Sequence, residues 1–176
     1  MRLFIAIDFN ELREELSKAQ SRIDSSLAKL NPVSAFHLTM QFLGEVDDSK
    51  VELIKAKLKE IKFKPFSLAL DKVGVFPSES YVRVIWAGVK PHDEVKELQK
   101  NVEEALKEFN FKKDFDFHPH ITLARVRFVS DKAKFAKNLN EIKLENKELD
   151  INDFRLVKST LMRNGPEYED VEIFSS

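Results

Sequence analysis

Two of the four histidines in this chain, His37 and His120, are each followed two residues later by one of its only three threonines. The stretches read His37-Leu38-Thr39-Met40 and His120-Ile121-Thr122-Leu123, with apolar residues between and after the polar pair in both. A chance double match has odds of roughly one in several hundred, and the shared apolar positions lengthen them. In an extended strand, residues two apart point to the same face. Each motif therefore presents an imidazole beside a hydroxyl, with its apolar residues turned to the core. Imidazole titrates near neutrality and can give or take a proton. A hydroxyl can donate a hydrogen bond to a non-bridging phosphate oxygen. If two such pairs shared a cleft, they would suit the opening of a cyclic phosphodiester. One imidazole would activate water, the other would protonate the departing alkoxide, and the hydroxyls would hold the phosphate. This scheme requires no metal and no cofactor.

A lone histidine in a strand is ordinarily structural, and a lone threonine is an ordinary strand residue; the matched pairing favours the chemical reading. Other candidates are weaker. His118 forms a His-x-His pair with His120, a pattern able to bind metal. Apart from Asp114 and Asp116, no carboxylate joins it nearby at helical or strand spacing, so a structural or orienting role is expected. Arg125 falls on the face opposite His120 by strict alternation, unless a bulge redirects it. It is a candidate phosphate contact, with a surface ion pair as the alternative. His92 follows Pro91 at a helix start and reads as a surface residue. Local positive charge could come from Arg83, Lys112, Lys113, Arg125, Arg127, Arg155, Lys158 and Arg163, most of which would simply be solvated. Phe42, Phe76 and Tyr81 could stack on a terminal base.

The elements that must position these residues can be read from periodicity. An apolar strand over Leu3–Ile7 leads to a helix capped by Asn10 and running to about Lys29, where Asn31-Pro32 breaks it. Phe36–Leu43 is the first histidine strand. A helix starting at Asp47 and a strand over Phe66–Val75 follow. The second half reads as a strand over Tyr81–Val89, a helix over Asp93–Phe109 and the second histidine strand over Phe117–Val126. A helix capped by Ser130 then runs to Leu139, with strands over Ile142–Leu149, Phe154–Met162 and Tyr168–Phe174. Each half thus runs strand, helix, histidine strand, helix, strand, as in a degenerate duplication. The expected fold is α+β, with two pseudo-symmetric lobes. Each lobe is a mainly antiparallel sheet with flanking helices, and the cleft lies between them. No linker separates the halves, so residues 1–176 are expected to form one two-lobed domain.

Bulk properties bound the function. The chain has 176 residues, of which 43% are hydrophobic and 34% charged, a globular balance. It has no cysteine, which removes disulfides, thiolate metal sites and cysteine nucleophiles. The net charge of −1 announces no nucleic-acid partner, so any attraction for phosphate must be local. The apolar start is short and ends at Asp8, unlike a signal peptide or membrane span. A cytoplasmic monomer without membrane attachment is expected.

His37-Leu38-Thr39-Met40-Gln41-Phe42-Leu43-Gly44 and Phe117-His118-Pro119-His120-Ile121-Thr122-Leu123-Ala124-Arg125 resemble the signatures of the 2H phosphoesterase superfamily. The nearest resemblance is to its RNA 2′,3′-cyclic phosphodiesterase branch, also called 2′-5′ RNA ligases. Met1–Ile7 and Val73–Pro77 look similar too. The resemblance implies hydrolysis of a terminal 2′,3′-cyclic phosphate to a 2′-phosphomonoester on RNA ends, tRNA fragments among them. It implies His37 as proton donor to the 3′ oxygen, His120 as the base, and Thr39 and Thr122 as phosphate ligands. It also implies reversible 2′-5′ ligation with a 5′-hydroxyl replacing water. A small cyclic nucleotide substrate, metal-dependent hydrolysis and a non-catalytic RNA-binding module are the competing readings. The last is disfavoured because His and Thr, not aromatics, share the exposed face.

Overall fold

Strand alternation in this chain is interrupted at several places, and two of them, one in each histidine strand, shape the cleft. The computed structural model describes residues 1–113 and 116–176. The first half contains β1 (Arg2–Asp8), α1 (Arg13–Ser21), β2 (Ala28–Pro32), β3 (His37–Glu45), α2 (Asp48–Lys59) and β4 (Phe66–Ser78). The second contains β5 (Tyr81–Lys90), α3 (Asp93–Ala105), β6 (His120–Val129), α4 (Lys132–Glu141), β7 (Glu148–Ile151), β8 (Asp153–Met162) and β9 (Gly165–Ser175). The strands form one curled, antiparallel sheet in the order β7-β4-β5-β6-β3-β1-β8-β9, with β2 also on β6.

The two lobes are β3-β1-β8-β9 and β6-β5-β4-β7, equivalent about the junction of the histidine strands. They are not the two halves of the chain in sequence. β4, from the first half, joins the second lobe, and the β8–β9 hairpin from the second half completes the first. The helices cross over as well: α1 lies against β6 and α3 against β3. The main core packs between sheet and helices, where Ile5, Leu38, Ile54, Leu58, Leu68, Ile121 and Phe154 are fully buried. A small second cluster of Phe4, Ala6 and Val157 lies apart from it, at alternate positions of β1 and β8.

β3 and β6 pair only at Leu38 and Ile121. Beyond that point β2 takes the edge of β6, from Ala28 opposite Val129 to Pro32 opposite Ala124. The histidine strands are therefore joined at their first residues and splay apart, which opens the cleft. This corrects the expected long first helix. α1 stops at Ser21, and Asp24 accepts hydrogen bonds from the Ser26 backbone N–H (2.9 Å) and hydroxyl (2.6 Å), a local turn that competes with helix. Asn31-Pro32, read as a helix breaker, instead ends β2. Two smaller corrections follow. Asp131, not Ser130, caps α4 by accepting from Lys134 N–H at 3.0 Å, and the strand expected over Ile142–Leu149 is confined to β7. Asp47 caps α2 as expected, without a side-chain hydrogen bond.

The two interruptions beside the motifs are β-bulges. Ala6 lies opposite Thr39 and Ile5 opposite Gln41, so Met40 is an extra residue in β3. Trp86 lies opposite Thr122 and Ile85 opposite Ala124, so Leu123 is an extra residue in β6. The carbonyl that the second bulge would strand is held by Gln20 Nε2 at 2.7 Å and by Val33 N–H at 3.1 Å. Gln20 Nε2 also donates to the Val33 carbonyl at 3.0 Å. Removing one partner of a part-buried carbonyl costs about 1–3 kcal/mol. Gln20→Met is therefore expected to lower unfolding stability by about that amount, read from the urea midpoint, with the fold retained.

Candidate active site

The bulges decide which side chains reach the cleft. In β3, His37 and Thr39 are part-exposed, Leu38, Met40 and Gln41 are buried, and Phe42 is exposed. β6 repeats the pattern: His120 and Thr122 part-exposed, Ile121, Leu123 and Ala124 buried, Arg125 exposed. Two consecutive buried residues mark the extra bulge residue and shift the phase of the pleat. Arg125 thus returns to the face of His120 and Thr122, which strict alternation denied it. Phe42 is its counterpart in the first lobe.

Leu38 opposite Ile121 also fixes the mutual placement of the motifs. Continuing that register sets His37 across from Thr122 and Thr39 across from His120, with the histidines on one diagonal. Diagonal Cβ atoms lie about 7–8 Å apart in such a pair, close enough for two imidazoles to address one phosphate. His37, Thr39, His120, Thr122 and Arg125 line a single open cavity of about 790 Å³.

The two imidazoles sit in unlike surroundings. His37 packs edge-on against Phe4 (5.6 Å between ring centroids) and Tyr168 (5.0 Å). Burial pushes it below the ordinary histidine range; Asp8 and Asp170 oppose that push, while Arg155 and Arg13 reinforce it. His120 packs edge-on against Phe76 at 4.9 Å, with Trp86 at 6.2 Å. Its Nδ1 lies 2.7 Å from the His118 carbonyl oxygen. A carbonyl only accepts, so Nδ1 carries a proton, and in the neutral ring Nε2 keeps its lone pair. Burial lowers its pKa too, that hydrogen bond opposes the shift, and His118 and Arg125 reinforce it.

His118 orients His120 through its backbone while its ring packs against Trp86 (4.9 Å) and Phe76 (5.5 Å). Among the described residues no group of three or more acids and histidines could hold a metal ion; Asp114 lies outside the described residues. His92 is not a free surface residue: it is half-buried, and its Nε2 is 2.7 Å from the Val89 carbonyl. Of the expected cations, Arg125 reaches the cavity. Arg155 is committed to Asp8, Asp153 and Asp170, and Lys158 to Glu169. Arg83 lies over the Tyr81 ring at 4.8 Å and donates to the Arg127 carbonyl at 2.9 Å. Phe42 and Phe76 line the cavity, and so do Arg2, Phe4 and Tyr168, which sequence reasoning missed. Arg2 and Phe4 share a face of β1 by alternation, a signal available in the sequence. Tyr168 depends on the placement of β9, which has no sequence signature.

A two-lobed sheet with one His-x-Thr strand from each lobe defines a phosphoesterase, and the chain belongs to the LigT-like phosphoesterase family. The model described as LigT like Phosphoesterase matches residues 7–86 and again 88–168, once in each half. A curated protein of Methanocaldococcus jannaschii, named RNA 2′,3′-cyclic phosphodiesterase, is 37% identical over 171 residues, covering 96% of this chain and 97% of the relative. One of Archaeoglobus fulgidus with the same name is 35% identical and covers 99% of both chains. Among solved structures, a Thermus thermophilus protein superposes with a TM-score of 0.84 at 28% identity, over 99% of this chain and 97% of that one. E. coli LigT complexed with 3′-AMP superposes with a TM-score of 0.78 at 27% identity, with the same coverage.

Because burial lowers both imidazoles, His37 and His120 are expected to titrate below 6.5 in an NMR-monitored titration. The unfolded chain then takes up these protons first. Their stabilising contribution is present above the unfolded pKa of about 6.5 and is lost as pH falls toward and through the folded values. The urea midpoint should fall between pH 7.5 and pH 5, and less steeply in a His37→Asn, His120→Asn double variant.

Proposed function

We propose that the protein is an RNA 2′,3′-cyclic phosphodiesterase whose catalytic pair is His37 and His120. The observation that carries this reading is the placement of both His-x-Thr pairs beside the Leu38–Ile121 pairing and in one cavity with Arg125. The full-length similarity to curated RNA 2′,3′-cyclic phosphodiesterases supports the substrate class.

In this mechanism the cyclic phosphate sits between the two strands. Thr39 and Thr122 donate hydrogen bonds to its non-bridging oxygens, and Arg125 offsets the charge that grows on them. His120 Nε2 takes a proton from a water molecule, whose oxygen attacks phosphorus. The Nδ1–H bond to the His118 carbonyl holds the ring in the tautomer that this needs. The bond from phosphorus to the 3′ oxygen breaks, and His37 delivers a proton to that oxygen. The products are a 2′-phosphomonoester and a free 3′-hydroxyl, and exchange with solvent resets both imidazoles. No step calls on a metal or cofactor. A 5′-hydroxyl in place of the water gives 2′-5′ ligation by the same proton movements. The chain acts as a single two-lobed domain and as a cytoplasmic monomer, with tRNA fragments among its RNA ends. Among the described residues no helix is long and apolar enough to cross a membrane. Phe42 and Phe76 flank the motifs from opposite lobes and supply stacking surfaces for the terminal bases.

His37→Ala and His120→Ala are each expected to lower kcat on a cyclic-phosphate-ended oligonucleotide by about 10²–10⁴-fold. Near-wild-type turnover in either variant would falsify the assignment. Arg125→Ala should act mainly on kcat as well, since it meets charge that develops in the transition state. Phe42→Ala should raise KM for the oligonucleotide with little effect on kcat; an equal change for a cyclic mononucleotide would point to the small-molecule reading.

A further inference from the structure

The two motifs are chemically alike, yet the mechanism needs one donor and one acceptor. The pseudo-symmetry of the sheet allows their surroundings to be compared position by position. Across from His37, Thr39 and Phe42 in β3 stand Asp8, Ala6 and Phe4 in β1. Across from His120, Thr122 and Arg125 in β6 stand Gly88, Trp86 and Val84 in β5. One strand further out, Arg155 pairs with Ala6 in the first lobe, and Gly74 pairs with Trp86 in the second. The first histidine therefore faces a carboxylate and an arginine where the second faces two glycines.

The second lobe is packed closely where those charges would stand. A Cβ at Gly74 would fall 2.2 Å from the Trp86 indole, which lies over that glycine. A Cβ at Gly88 would fall 3.2 Å from the Lys72 carbonyl oxygen and 3.3 Å from Trp86. Trp86 and Phe76 pack against His120, whose Nδ1 donates to the neutral His118 carbonyl.

In the first lobe the charges are built in and do not balance. Arg155 Nη1 lies 2.8 Å from Asp8 Oδ2 and 2.8 Å from Asp170 Oδ2, and its Nε lies 3.3 Å from Asp153 Oδ1. Three carboxylates thus share one guanidinium. Asp8 is further fixed by accepting from Asn10 N–H at 2.9 Å and Asn10 Nδ2 at 2.6 Å. Its side chain and that of Arg155 are about one-quarter exposed or less. Two of these carboxylates, Asp8 and Asp170, lie beside His37 and favour its protonated form.

We propose that Asp8, held by Arg155 and backed by Asp170, is the positioning residue that makes His37 rather than His120 the proton donor. This rests on the acid–base reading of the two histidines given above. Five groups face His37 with a charge or a titratable proton: Asp8 from β1, Arg155 from β8, Asp170 and Tyr168 from β9, and Arg13 from α1. The two carboxylates favour the imidazolium and the two arginines oppose it. Beside His120 the His118 carbonyl favours the imidazolium while the His118 ring and Arg125 disfavour it, and Glu103 and Asp116 line the shared cavity. The first lobe thereby favours the protonated imidazole against the push of burial, and the second holds its imidazole in the tautomer that leaves Nε2 a lone pair.

The test is an NMR titration of His37 and His120 in the ligand-free full chain, for wild type, Asp8→Asn and Asp170→Asn, with kcat/KM measured across pH on a cyclic-ended oligonucleotide. Asp8→Asn should lower the His37 midpoint by about one pH unit and leave that of His120 nearly unmoved. Asp170→Asn should lower it by less. The alkaline limb of kcat/KM should move acidward with the midpoint, costing about tenfold at pH 8 for Asp8→Asn, with KM little changed. Should Asp8→Asn fail to fold, Asp170→Asn on the outermost strand of its lobe carries the test alone. A His37 midpoint unmoved in the folded variants, or equal falls at both histidines, overturns the proposal. Those titrations are independent of turnover, so loss of the cyclic phosphodiesterase reading through an active His37→Ala variant would be a separate result.

Discussion

A single pair of buried residues, Leu38 against Ile121, joins the two lobes through their histidine strands, and the geometry of the cleft follows from it. Both side chains are fully buried, which pins the register, because a slip of one residue would turn both motifs inward. With the register pinned, four polar side chains stand on the opposite face in a fixed square. The strands then part because β2 occupies the edge of β6 that β3 leaves. Precision at the motifs and openness beside them thus have one cause.

The extra residue after each threonine contributes the next layer. Without Met40 and Leu123 as bulge residues, Phe42 and Arg125 would point into the core. The apolar residue that closes each motif therefore has two duties: it fills the core, and it resets the pleat so that the following turn of strand serves the cleft. The Leu123 carbonyl freed by this arrangement is satisfied from α1 through Gln20, so the first helix of the chain supports the second histidine strand.

Much of this was legible in the residues. The i, i+2 pairing gave the shared face of His and Thr, and the recurrence of the motif gave the two-lobed α+β plan. The sequence leaves Arg125 undecided because alternation is a local rule and a bulge is set by the partner strand. β2 reads in sequence as the end of a helix because its residues are ambiguous and only the open edge of β6 selects a strand. Asp8 carried no signal, since a carboxylate at a strand end is ordinary until its cross-strand neighbour is known. The segregation of Arg155 from the other cations likewise depends on three acids drawn from β1, β8 and β9.

The exchange of outer strands has a consequence for how such a molecule can be divided. β4 leaves the first half to border β5, and the β8–β9 hairpin returns from the second half to border β1. A chain cut between the repeats would leave each piece with an open sheet edge and no strand of its own to cover it, the condition that favours edge-to-edge association. One repeat alone is closed only by another copy of itself, as in a strand-swapped dimer. Covalent tandem linkage makes that reciprocal closure intramolecular, and it frees the two copies to diverge into the unequal partners seen around His37 and His120.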